Sequence, residues 1–193
     1  MPTELPLPRL VITGNDAQGR SRIVSDGPPH RVRSSEDRPG YRVSNLWALH
    51  GAPAPLDDPD RVAEVQGLMP PRAGSVIRII DYPPEPKDRA ALQKMFDGLF
   101  ARMFPDGHHR PENPAHPGIH ATETVDYVIV LKGEIWAVME KGETLMKAGD
   151  VLVQRGTNHS WSVRGSEPAL VAFVLVSARP LRAKKKTSRA RKK

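Results

Sequence analysis

The stretch from residue 120 to residue 163, HATETVDYVIVLKGEIWAVMEKGETLMKAGDVLVQRGTNHSWSV, decides the fold. Apolar and polar residues alternate within it in the short runs TVDYVIVL, EIWAVME, ETLMKAGD, VLVQR and HSWSV, and ALVAFVLVS follows up to Ser177. Runs of this length, rich in β-branched and aromatic residues and joined by Gly-containing connections, read as consecutive strands. Lys132-Gly133 and Lys141-Gly142 are turn signals between them. Six evenly spaced strands predict an all-β unit, an antiparallel barrel or sandwich.

Side chains two residues apart lie on one face of a strand. His120, Thr122 and Asp126 therefore share a face, given no bulge between Thr122 and Asp126. His159 and Trp161 share one by the same parity, so Trp161 is expected to line whatever cavity His159 enters. Two imidazoles and a carboxylate turned inward suit Fe(II), Mn(II), Ni(II) or Zn(II), with positions left for water or substrate. Asp126 opens an apolar run, where a carboxylate requires a metal, an arginine or hydrogen-bond donors, so metal ligand and paired structural acid both stay open. Thr122 reads as a pocket hydroxyl and Glu123 as outward-facing. Arg155, beside a glycine turn, is either an exposed loop residue or a holder for a substrate carboxylate. His108, His109 and His116 fall in a Pro-rich loop and are expected at the surface, with His116 near enough to His120 to substitute as a ligand. Trp47 and Trp136 read as core.

HATETVDYVIVLKGE followed by AGDVLVQRGTNHSW resembles the paired signature motifs of the cupin superfamily. His120, Asp126 and Gly133 match the first motif in spacing, with Thr122 where the second histidine usually stands and Asp126 in place of glutamate. Gly149, Gly156 and His159 match the glycines and histidine of the second, with Gln154 and Arg155 where its proline is expected and Val163 where it ends in asparagine. The resemblance implies a cupin-like antiparallel β-barrel or jelly roll. It implies His120, Asp126 and His159 as ligands of a divalent metal ion, and Thr122, Trp161 and Arg155 as substrate-binding residues. It also implies a homodimer that exchanges N-terminal strands.

Outward from this stretch, residues 119–178 form the barrel segment and residues 1–82 contribute further strands and arms of the same domain, at Leu10 to Thr13, Arg22 to Ser25, Tyr41 to Leu49 and Ser75 to Asp81. Residues 83–118 hold one amphipathic helix and the Pro-rich loop. Between Glu85 and Phe104, residues Leu92, Met95, Phe96, Leu99, Phe100, Met103 and Phe104 recur at helical spacing, with Pro86 in the first turn and Pro105 as the stop. That apolar face fits a core contact, a lid over a cavity or a subunit contact equally well.

The chain of 193 residues contains 20 prolines and 15 glycines, which excludes a bundle of long helices. It has no cysteine, which excludes disulfides, thiolate zinc sites, iron–sulfur clusters and a cysteine nucleophile. The net charge of +7 comes from one end: residues 179–193 carry nine Lys or Arg and no acid, leaving 20 basic and 22 acidic residues elsewhere. This basic C-terminal tail has almost nothing to bury and is expected to be disordered, either a solvated tail or a non-specific polyanion contact. No apolar run is long enough to span a membrane and the N-terminus lacks a secretory pattern, so a cytoplasmic protein is expected.

By resemblance, the expected function is that of a metal-dependent enzyme acting on a small organic acid, ketone or aromatic polyketide-like compound, of the lyase, decarboxylase or dioxygenase type. The alternative is a non-catalytic small-molecule-binding or sensor cupin. A nucleic-acid-associated protein recruited by its tail is a third reading.

Overall fold

A computed structural model describes residues 5–107, 110–112 and 114–179. The strand-rich segment folds as its alternation predicts: β6 (Thr124–Lys132), β7 (Glu134–Met139), β8 (Glu143–Lys147), β9 (Val151–Arg155), β10 (His159–Ser162) and β11 (Ala169–Ser177). Before them come β1 (Leu10–Asn15), β2 (Ser21–Gly27), β3 (Arg31–Ser34), β4 (Arg42–Leu49), β5 (Ser75–Tyr82) and the helix α1 (Arg89–Met103). β3 is an element the sequence pattern did not mark.

Two sheets enclose the core. One has six strands in the order β3-β4-β5-β11-β6-β9 and the other three in the order β10-β7-β8, all antiparallel. The N-terminal half thus supplies three strands of the larger sheet, because β5 pairs with β11 along its whole length, from Tyr82↔Ala169 to Ser75↔Val176. β1 and β2 form a separate two-stranded ribbon, with Val11, Ile23 and Val24 exposed.

Inward residues of both sheets, among them Val128, Val130, Ile135, Ala137, Trp161, Val171 and Phe173, form one buried cluster with the apolar face of α1. That helix buries Met95, Phe96, Leu99, Phe100 and Met103. Their burial is worth on the order of 10 kcal/mol, enough to hold α1 against the sheets. The helix begins later than its sequence pattern suggests. Asp88 is the N-cap and accepts a hydrogen bond from the Ala91 N–H at 2.8 Å. Glu85 stays extended instead: its N–H donates to the Val163 carbonyl at 2.9 Å, and its buried carboxylate accepts a hydrogen bond from Ser162 and faces His116 at 3.3 Å.

Residues 180–193, the bulk of the basic tail, lie outside the described residues, as do His108 and His109. No helix among the described residues is long and apolar enough to cross a membrane.

Candidate functional site

The two sheets and α1 line a cavity of about 60 Å³, whose walls are drawn from β5, α1, β6, β10, β11 and the segments that lead into them. One wall is built by the two histidines. His120 and His159 form an antiparallel bridge, each N–H bonding the other's carbonyl at 3.0 and 2.9 Å, and this sets their rings 4.6 Å apart. The Nδ1 of His120 lies 2.9 Å from the Gly118 carbonyl and that of His159 lies 2.9 Å from the Thr157 carbonyl. A carbonyl only accepts, so each Nδ1 carries the proton and each Nε2 keeps the lone pair. Gly118 has a packing reason to be glycine: a Cβ there would lie 2.4 Å from Ser160 Oγ and 2.5 Å from the Phe96 ring.

Both rings are held neutral. Burial, chiefly, and then the neighbouring His120 lower the His159 pKa to about 3, and burial lowers that of His120. Trp161 stands edge-on to His159 at 5.8 Å, and both side chains line the cavity.

Asp126 lies on the neighbouring wall. Thr122, Thr124, Asp126, Val128 and Val130 are buried in strict alternation, so no bulge displaces the carboxylate. Thr122 and Thr124 hydrogen-bond each other through their hydroxyls at 2.8 Å. Burial raises the Asp126 pKa to about 6, against the smaller opposing effects of a hydrogen bond from Thr124 and the charge of Arg78. Its Oδ1 has no hydrogen-bond partner among the described residues.

The third wall is cationic and aromatic, and it comes from the N-terminal half. Arg78 on β5 is 1% exposed and lines the cavity. Its Nη1 donates to the Gly67 carbonyl at 3.2 Å, while Nε and Nη2 have no hydrogen-bond partner among the described residues. Arg38 is equally buried, but its guanidinium sits over the rings of Tyr41, Tyr82 and Phe96 at 5.3, 5.5 and 5.7 Å and faces Glu85 at 3.8 Å. Phe96, Leu99 and Phe100 of α1 close the cavity from above, so within this chain the helix does what a lid would do.

Of the expected site residues, the structure brings His120, His159, Thr122, Trp161 and Asp126 to one cavity. Among the described residues, no three His, Asp or Glu side chains are gathered closely enough to ligate one ion. His120 and His159 are a fixed pair of nitrogen donors, and Asp126 stands apart from them. Arg155 is exposed on β9 and does not line the cavity; parity turns it outward, since its neighbour Gln154 takes the inward position. His116 is buried, not at the surface: its Nδ1 accepts from the Gly118 N–H and its Nε2 faces Glu85, which uses both ring nitrogens away from the histidine pair.

Arg78, Arg38, Tyr41 and Tyr82 are cavity residues that the motif-based reading missed. A signal existed for Arg78: in the run SVIRIIDY it shares parity with Val76 and Ile80, which makes it the one charge on an apolar strand face.

No family model matches the chain. It is 30% identical over 189 residues to phomopsin biosynthesis cluster protein C′ of Diaporthe leptostromiformis, a match spanning 92% of this chain and 82% of the relative. It is 27% identical to the cupin-domain-containing oxidoreductase fogC of Aspergillus ruber (86% of this chain, 70% of the relative), and 28% to the similarly described srdD of Neurospora crassa (87% and 74%). Among solved structures, the cupin domain of Schizosaccharomyces pombe Cnp3 aligns with a TM-score of 0.42 at 11% identity, covering 88% of this chain and 87% of that one.

Proposed function

Because the chain belongs to the cupin superfamily, we propose that its barrel cavity is the active site of a cupin-type oxidoreductase for a small organic substrate. The observation that carries the reading is the histidine pair, two neutral imidazoles with Nδ1 tied to carbonyls and Nε2 left as the lone-pair atom on a cavity wall. Such carbonyl anchoring is how metal-ligating histidines are oriented, so this donor pair fits the divalent ion that the fold implies. His120 and His159 would hold it through Nε2, and an ion there would polarise a substrate oxygen or, if iron, add one-electron chemistry with dioxygen.

The chain's own groups have separate tasks. Asp126 Oδ1, free of hydrogen bonds and with a pKa near 6, can take up or release a proton close to neutral pH. Thr122 offers a hydroxyl beside it. Phe96, Phe100, Trp161 and Phe173 shield the reacting atoms from water. Relatives described as cupin-domain oxidoreductases support redox chemistry over the lyase type. Exposed Tyr127, Leu131, Val151 and Val153 on β6 and the edge strand β9 support a homodimer.

Metal content separates this reading from a non-catalytic binding protein, which the threonine at position 122 favours. After incubation with Fe(II), Mn(II), Ni(II) or Zn(II) in turn, the wild type is expected to retain one of these ions near stoichiometry, and His120→Ala and His159→Ala to lose it while keeping the wild-type circular dichroism spectrum. A wild type that retains none of the four ions rejects the metal-dependent enzyme in favour of the binding protein.

A further inference from the structure

Arg78 poses a physical problem that the histidines do not. A guanidinium cannot shed its proton at any ordinary pH, and burying it without an anion is costly. The usual remedies are absent: among the described residues no carboxylate lies within ion-pair distance of Arg78, and only Nη1 is hydrogen-bonded. Two carboxylates act on it through their charge without an ion-pair contact: Asp106, whose oxygens accept from the Leu68 and Met69 N–H groups, and, more weakly, Asp126, which lies beyond β11, with Phe173 opposite Arg78 on one side and Leu175 opposite Asp126 on the other. Arg38 and its partner Glu85 are likewise mutually engaged. Nε and Nη2 of Arg78 are adjacent donors on one edge of the guanidinium, the geometry that takes both oxygens of a carboxylate.

We propose that Arg78 is the substrate anchor of the cavity and that the substrate is a small organic acid, whose carboxylate is held in two-point contact by Nε and Nη2 of Arg78. This deepens the proposed function by giving its substrate class, and it rests on the cavity being the active site. The acid's carbon skeleton then lies among Tyr82, Trp161 and Phe173, toward the histidine pair. Specificity arises because a neutral amide of the same shape leaves the guanidinium uncompensated.

The test uses the full chain, as purified and after chelator treatment, at fixed ionic strength. Pyruvate and benzoate are titrated against their neutral isosteres pyruvamide and benzamide, with tryptophan fluorescence and thermal stability as readouts. The expected result is saturable binding of an acid, roughly tenfold to a hundredfold tighter than its amide, the range expected of a charge-assisted contact. Arg78→Met should abolish that preference and Arg78→Lys should weaken it, while chelator-treated protein and His159→Ala should keep it. Equal binding of acid and amide, an Arg78→Met variant that keeps the preference, or no saturable binding of either acid overturns the anchor. Acid binding lost with the metal or in His159→Ala also overturns it, by placing the carboxylate at the histidine pair. Acid binding that persists in a protein unable to hold any metal sustains the anchor while the metal-dependent reaction falls. Should Arg78→Met fail to fold, Arg78→Lys decides: an undiminished preference for the acid there refutes two-point contact.

Discussion

The two walls of the cavity handle charge in opposite ways. The histidine wall is buried and stays neutral, since an imidazole can give up its proton: burial and the pairing of the rings hold His159 at a pKa near 3. The arginine wall is as deeply buried and stays charged. Arg38 answers its charge with Glu85 and three aromatic faces, whereas Arg78 has one carbonyl and two idle donors. A buried group able to neutralise itself needs no charged partner, so at neutral pH the histidines can wait for a ligand without penalty. A permanently charged group records what is missing around it.

The largest effect expected from breaking this contrast is at Arg38. Replacing Arg38 with Met leaves Glu85 without its cation and should cost about 3–5 kcal/mol by urea denaturation. The same replacement at Arg78 removes an uncompensated charge, and should leave the ligand-free protein unchanged or more stable by about 1–4 kcal/mol. Equal destabilisation by both variants would refute the distinction between them.

A smaller effect sharpens the other wall. His159 binds a proton in the unfolded chain below about pH 6.5, but in the folded protein only near pH 3, so the unfolded state takes up more protons in that window and stability falls with acid. Metal-free wild type should lose about 2 kcal/mol to this group between pH 6.5 and pH 5, and His159→Gln should be spared that loss. Asp126 works in the reverse sense. Its folded pKa near 6 lies above the unfolded 3.8, so its burial costs nothing below about pH 4 and is felt fully above pH 6. Asp126→Asn should therefore gain stability relative to the wild type as pH rises from 4 to 6. The smallest effect is at Arg155, which is exposed and off the cavity: Arg155→Ala should shift stability by less than about 0.5 kcal/mol and leave acid binding unchanged.

Local periodicity made most of the fold legible. All six strands after residue 119 could be read because a half-buried strand must alternate, and the helix because its apolar face repeats every three or four residues. The helix start was misjudged because Pro86 is a good first-turn residue, and nothing local reveals that Glu85 is held extended by Val163 and Ser162 far along the chain. β3 was missed because RVRS has a single apolar residue and becomes a strand by pairing with β4. His116 read as a surface residue because its loop is rich in proline; Glu85 and Phe96 draw it inside.

Spacing along the chain was enough to give the succession of strands after residue 119, the cupin motifs and the parity that aims His120, Asp126, His159 and Trp161 inward, because each depends on one strand or turn. Only the packing of distant segments shows that Arg78 faces the same cavity as the histidines, and that Arg38 has a carboxylate beside it where Arg78 has none among the described residues. Those facts depend on β5 pairing with β11 and on α1 closing over both, contacts between residues nearly a hundred positions apart whose charges interact only once water has been excluded from between them.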